Sequence, residues 1–156
     1  MIVRRATPAD VPAILRLIVA LAVYEREPDA VKATVGSLTQ TLFAEDARVY
    51  AHVAEQEGEV VGIAVWFLNY STWTGKPGIY LEDLFVSETA RGTGAGKALF
   101  KALAQEAEQL GCARIDWAVL TWNTPAMDFY RTIGARPQTT WQPWRIDGPE
   151  LEALKA

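Results

Sequence analysis

The chain is poor in the residues that staple, metallate or anchor a protein. Its 156 residues include one cysteine, Cys112, and one histidine, His52. A lone cysteine excludes an internal disulfide and fits a reducing compartment, so a cytoplasmic location is expected. One histidine and one cysteine cannot supply a metal cluster with proper ligand spacing, so no metal is expected. Basic residues are not in excess: 15 Lys and Arg stand against 19 Asp and Glu, a net charge of −4. That balance argues against nucleic acid as the main partner. The longest early apolar run, Leu17 to Val23, falls far short of the ~20 residues of a membrane span. No apolar core follows Arg4 and Arg5, so no signal peptide is expected. Linkers, repeats and low-complexity segments are also missing.

What is present is a half-hydrophobic chain, enough for a real core in a single domain over 1–156. Met1 to Arg5 reads as a strand. Thr7-Pro8-Ala9-Asp10 is a helix start, with a capping threonine, proline in the first turn and an acid near the dipole. Val11, Ile14, Leu15, Ile18 and Ala22 mark one helical face, and Val35, Leu38 and Leu42 a second. Val49 to Glu55 and Val60 to Leu68 are strand-like and joined through Glu57-Gly58 as a hairpin. Asn69 to Gly78 is predicted as a loop, Ile79 to Val86 as a strand and Lys97 to Leu110 as a helix. Ala113 to Leu120 is predicted as a strand, Pro125 to Thr132 as a helix and Thr140 to Ile146 as a last strand. The order β-α-α-β-β-β-α-β-α-β predicts an α/β chain with a mixed sheet and helices on both faces.

The richest stretch is Arg91-Gly92-Thr93-Gly94-Ala95-Gly96, between the Ile79–Val86 strand and the following helix. Glycines let backbone approach a ligand, and the first helical N–H groups lack internal partners. A phosphate collects those donors and the positive end of the helix dipole. A phosphate-bearing cofactor is therefore expected; a glycine-rich helix entry without a ligand is the alternative. The spacing excludes two common loops. A Walker A loop needs glycine where Arg91 stands and Ser or Thr where Ala98 stands. A dinucleotide fingerprint needs its last glycine where Lys97 or Leu99 stands.

The spacing that fits is R-x-x-G-x-G, as Arg91, Gly94 and Gly96. With Tyr80-Leu81-Glu82-Asp83-Leu84-Phe85-Val86, Asn123-Thr124-Pro125-Ala126 and Phe129-Tyr130, it resembles the GNAT family of N-acetyltransferases. Tyr24-Glu25, Trp73-Thr74-Gly75-Lys76, Leu81-Glu82-Asp83 and Trp122-Asn123 resemble the diamine (spermidine/spermine-type) branch. The resemblance implies the GNAT-type acyl-CoA N-acyltransferase fold, with a central, mostly antiparallel sheet. It also implies acetyl-CoA as co-substrate and a homodimer. Two strands, here Ile79–Val86 and Ala113–Leu120, would splay to admit the pantetheine arm. The cofactor set it implies is Leu84, Phe85, Val86, Arg91, Gly92, Thr93, Gly94, Ala95, Gly96, Lys97, Asn123, Ala126, Phe129 and Tyr130.

Amine acetylation sets its own demands. A primary amine with a pKa near ~10.4 is neutral in only about one molecule in ~2,500 at pH 7. The site must bind a cation and then take its proton, and carboxylates serve both needs. Glu82 and Asp83 are adjacent, so a regular strand sends them to opposite faces; a bulge would unite them, and the resemblance implies one at this point. The resemblance implies that Glu82 is a base acting through water and Asp83 a substrate-side acid. It places Glu25 near the amine channel and Trp73 on its wall. Tyr130 would protonate the departing thiolate, and a backbone N–H near Leu84 would stabilise the oxyanion. Transfer would be direct, in a ternary complex with a small amine. A protein or peptide amine acceptor, or a non-catalytic acyl-CoA-binding module, remains open. Plainer readings also remain: Glu82 and Asp83 as solvated strand-end charges, Tyr130 as a core tyrosine, Asn123 as a helix cap. Cys112 reads as structural, and Trp141 and Trp144 as core or dimer contacts.

Overall fold

A computed structural model describes all residues from Met1 to Ala156. The chain divides into two compact units, Met1–Leu120 and Thr121–Ala156. The first unit carries a five-stranded sheet in the order β1 (Ile2–Arg5), β2 (Val49–Gln56), β3 (Glu59–Ser71), β4 (Lys76–Val86) and β5 (Ile115–Asp116). The first four strands pair antiparallel in sequence order, and β4 pairs with β5 in parallel. The β2–β3 turn is Glu57-Gly58, with both residues at positive φ (53° and 84°), the geometry a two-residue hairpin demands.

The helices sort by strand parity. Ala51 and Val53 of β2, Ile63 and Val65 of β3 and Phe85 of β4 face α1 (Val11–Tyr24) and α2 (Val35–Phe43) in one core. Residues one step along point the other way. A Cβ on Gly62 would meet Ala54 and Leu99, the latter on α3 (Ala95–Gln109), so α3 covers the opposite face. The chain reaches α1 through a 3-10 turn, Pro8–Asp10. Its Asp10 carboxylate accepts from the Thr7 backbone N–H at 2.7 Å and from Arg4 at 2.7 and 2.9 Å. The Arg4 guanidinium, against the cost of burial, holds the Asp10 pKa down to about 2.

Three expected elements are corrected, and one reading of side-chain burial with them. The loop from Asn69 to Gly78 is mostly strand: β3 and β4 pair out to Ser71 and Lys76, leaving a four-residue turn at 72–75. The eight-residue strand Ala113–Leu120 contracts to Ile115–Asp116, because β5 meets β4 only at Ile79 and Tyr80. Beyond that point the two strands part, and a strand without a ladder partner is not held in strand form.

The last strand, Thr140–Ile146, is absent. The second unit consists of α4 (Thr124–Thr132), an irregular stretch and a short helix, α5 (Gly148–Ala153). Pro143 cannot donate to a ladder, and no strand pairs with this segment. Trp141 and Trp144 are 67% and 91% exposed, so the reading of them as core is overturned. No helix is long and apolar enough to cross a membrane.

Candidate functional site

The acids are joined by a register shift. Val65 pairs with Asp83 and Trp66 with Leu81, so Glu82 is the extra residue of a β-bulge in β4. A bulge sets two residues against one and cancels the alternation that separates neighbouring side chains. Asp83 lies two residues before Phe85, on the α1 face, and Glu82 joins it there. Asp83 is half-buried and Glu82 exposed. Burial, with Glu82 and then Glu25 adding repulsion, pushes the Asp83 pKa up to about 6. Glu25 caps the C-terminus of α1, and burial raises its pKa as well. Thus the sheet and the end of α1 gather three carboxylates, Glu25, Glu82 and Asp83. Tyr80 faces the same group, its phenol raised by burial and by the charges of Glu82 and Asp116.

The glycine loop follows directly. Gly92 and Gly94 stand at φ 78° and 88°, and Gly94 is the N-cap of α3. A Cβ on either would meet nothing within 4 Å. Their requirement is therefore the left-handed turn, which leaves the space before the helix start open. The Ala95, Gly96 and Lys97 N–H groups fall in the first turn, where a helix has no internal acceptors. Arg91 is held at the rim. Its Nε donates to the Val86 carbonyl at 3.3 Å, and its guanidinium lies 5.1 Å from the Tyr24 ring centroid and 5.7 Å from that of Phe85.

Between acids and loop lie Leu84, Phe85 and Val86, on the part of β4 that β5 does not accompany. An open strand edge leading into an open helix N-terminus fits an extended amide chain ending in a pyrophosphate. The donors are backbone N–H groups and guanidinium, matched to phosphate oxygens. In the second unit, Asn123 caps α4, its side-chain oxygen accepting from the Ala126 N–H at 3.3 Å. Ala126, Phe129 and Tyr130 follow on that helix, with the Phe129 and Tyr130 ring centroids 5.7 Å apart.

Residues 14–135 match the acetyltransferase (GNAT) family. The chain belongs to that family. Over 99% of its length it is 37% identical to thialysine N-epsilon-acetyltransferase of Sus scrofa, 96% of which is covered. It is 30% identical to L-ornithine N5-acetyltransferase of Arabidopsis thaliana, over 97% of this chain and 86% of that protein. An integron cassette protein from the mobile metagenome of V. cholerae has the same fold, with a TM-score of 0.82 and 28% identity over 99% of this chain and 96% of that one. This GNAT chain is an N-acetyltransferase, and acetyl-CoA is the co-substrate that the family uses.

Not every expected residue joins the acids. Trp73 sits in the β3–β4 turn and is 86% exposed. Six residue steps along the strand separate Lys76 from Glu82, roughly 20 Å of extended chain, so the turn that carries Trp73 starts a strand's length from the carboxylates. Burial raises the Cys112 thiol above its ordinary pKa, which fits a structural role rather than a nucleophile. Sequence reasoning missed Tyr80 and Tyr24. Tyr80 was legible, since it stands two residues before Glu82 on the same strand; the contact of Tyr24 with Arg91 depends on tertiary packing.

Proposed function

We propose that this N-acetyltransferase moves the acetyl group of acetyl-CoA to the terminal primary amine of a small cationic acceptor: an ω-amino acid, diamine or polyamine. The observation that carries the reading is the bulge at Glu82, which assembles Glu25, Glu82 and Asp83 on one face. Three acids beside one another favour a compact cation over a neutral acceptor. The thialysine and ornithine enzymes to which the chain is similar both act on a side-chain amine, and this favours amino acids among such cations.

Acetyl-CoA supplies an acyl group on a good leaving group. The chain's residues do the rest. Arg91 and the N–H groups at the start of α3 hold the pyrophosphate, and Gly92, Thr93 and Gly94 shape the loop. Leu84, Phe85 and Val86 present strand backbone to the pantetheine, with the Leu84 N–H toward the developing oxyanion. Asp83 and Glu25 bind the ammonium. Glu82, exposed to solvent, takes one ammonium proton through a water and passes it to solvent, which frees the nitrogen lone pair for attack. Tyr130 donates a proton to sulfur as the C–S bond breaks, which matches the second proton, lost at nitrogen as the N–C bond forms; the first has gone to solvent. Asn123, Ala126, Phe129 and Lys97 complete the cofactor contacts. The same reading takes the chain as one catalytic domain acting in the cytoplasm as a homodimer, which the exposed Trp141, Trp144 and Leu154 support.

The test is thiol release from acetyl-CoA against thialysine, ornithine, lysine, putrescine, spermidine and a lysine-containing peptide. The small amines should turn over and the peptide should not. With the best acceptor, Glu82→Gln and Tyr130→Phe should each lower kcat by about 10²-fold, the usual scale of general acid–base catalysis. Turnover of the peptide alone rejects the acceptor class. Wild-type kcat in either variant removes that residue's role.

A further inference from the structure

On the α3 face of the sheet, a polar chain runs inward from the surface to the strand beside the acids. Arg5 of β1 clasps Glu106 of α3 through Nε to Oε1 and Nη2 to Oε2, both at 2.6 Å. The same guanidinium lies 5.1 Å from the ring centroids of Tyr50 and Trp66. Glu106 Oε1 faces His52 Nε2 at 3.4 Å. His52, in the centre of β2, is 4% exposed, and its Nδ1 accepts from the Trp66 indole Nε1–H at 3.1 Å. An indole N–H only donates, so Nδ1 carries no proton; the neutral ring holds its proton on Nε2, directed at Glu106.

The far end of this chain is at the bulge. Trp66 is fully buried and pairs with Leu81, the residue before Glu82. Its neighbour Val65 pairs with Asp83, so the register slips at the Val65–Trp66 step. The near end is α3, whose first turn forms the phosphate cradle and whose residue Glu106 lies roughly 16 Å further along the same rigid rod. One polar chain therefore ties β3, the strand paired with the acid-bearing β4, to the helix proposed to hold the cofactor. A buried histidine carries a desolvation cost that an apolar residue of its size avoids. What it supplies in return is direction: with both ring nitrogens engaged, it fixes the rotation of the Trp66 indole.

We propose that His52 is a positioning residue for acetyl transfer: held by Glu106 and Arg5, it orients Trp66 and so sets the bulge that presents Glu82 and Asp83. This rests on the assignment of those acids given above. The charged groups facing the ring are Glu106 from α3 and Arg5 from β1, with Trp66 of β3 between them and the bulge. Burial, opposed by Glu106 and aided by Arg5, lowers the imidazole pKa, so the ring acts in its neutral form.

Three variants of the full chain test it with acetyl-CoA and the best acceptor. Trp66→Phe keeps a ring and removes the N–H; His52→Leu removes both partners; His52→Asn restores an acceptor close to the place of Nδ1. Trp66→Phe and His52→Leu should lower kcat about tenfold, the scale of a small misplacement of reacting groups. The KM for acetyl-CoA should stay within about twofold, as for a loss confined to the transition state. The acid limb of kcat/KM for the amine should shift in both, and His52→Asn should recover most of kcat. Wild-type kcat and an unshifted pH profile in both variants overturn the proposal, whatever their thermal stability. Nitrogen-15 NMR of the unmutated protein gives a readout independent of how the variants fold. The His52 ring should be the Nε2–H tautomer; a proton on Nδ1 overturns the proposal. Glu82→Gln in the same assay separates the two claims. No effect there removes the base itself, whereas a large loss there beside wild-type His52 and Trp66 variants removes only the positioning role.

Discussion

Asp83 is where function and stability pull in opposite directions. Its folded pKa, about 6, lies above the ordinary value of 3.8, chiefly through burial. The native state therefore holds the proton more tightly than the unfolded chain. The stability this gives is complete below pH ~4 and is lost as pH rises through about 6. Asp83→Asn, which mimics the protonated acid, should raise the thermal midpoint at pH 8 and leave it almost unchanged at pH 4. The gain at pH 8 should be on the order of 1 kcal/mol, allowing for screening at a half-buried site. Equal midpoint shifts at the two pH values, by calorimetry, reject a buried charge as the cause. Activity should run the other way. Only ionised Asp83 attracts the ammonium, so kcat/KM for the amine should climb through about pH 6, and that limb should vanish in Asp83→Asn. The pair Glu82 and Asp83 was legible in the sequence as chemistry. Its union on one face did not follow from residue types, because alternation predicts the reverse; it was expected only through the resemblance, and the pairing with Val65 and Trp66 sets the bulge.

The element that could be read most fully is the strand–glycine loop–helix unit. Its motif, its order and the start of α3 follow from residue types alone: left-handed φ at Gly92 and Gly94 needs glycine, and a helix start needs external acceptors. The consequence can be measured. Gly94→Ala puts a Cβ at φ 88° without a clash, so it brings backbone strain of roughly 1–2 kcal/mol. Gly94→Glu adds a negative charge facing the pyrophosphate. Calorimetric titration should find acetyl-CoA binding weakened in the first and abolished in the second. Retained affinity in Gly94→Glu removes the cradle assignment. Less legible were elements whose form depends on a neighbour. Ala113–Leu120 has strand-like residues, yet only two keep strand form because β4 departs from β5 after Tyr80. Gly78 belongs to the same junction: a Cβ there would come within 3.2 Å of the Arg114 carbonyl and 2.6 Å of Asn69 Oδ1. By contrast α5 carried its own signal, Asp147-Gly148-Pro149-Glu150, an N-cap acid with proline and glutamate in the first turn.

For the molecule as a whole, the exposed apolar surface of the second unit sets the question of assembly. Trp141, Trp144, Ile146, Leu151 and Leu154 are all exposed, and α4 and α5 bury no residue fully. These exposed side chains, within 36 residues, are what the proposed homodimer would cover. If the chain pairs with itself through them, sedimentation should give twice the 17.2 kDa chain mass, and Trp144→Glu should shift the population to single chains. A wild-type mass of one chain at micromolar concentration rejects the homodimer. The sequence by itself determined the order of most elements and the glycine turn before α3, since these rest on local residue types and short spacings, and through its family resemblance it determined the class of chemistry. Only the tertiary structure decided which side chains share a face, where β4 and β5 part, and that His52, a bystander in the sequence, joins Trp66 to Glu106. Those facts depend on strand register and on residues up to a hundred positions apart, and short-range patterns carry no information about either.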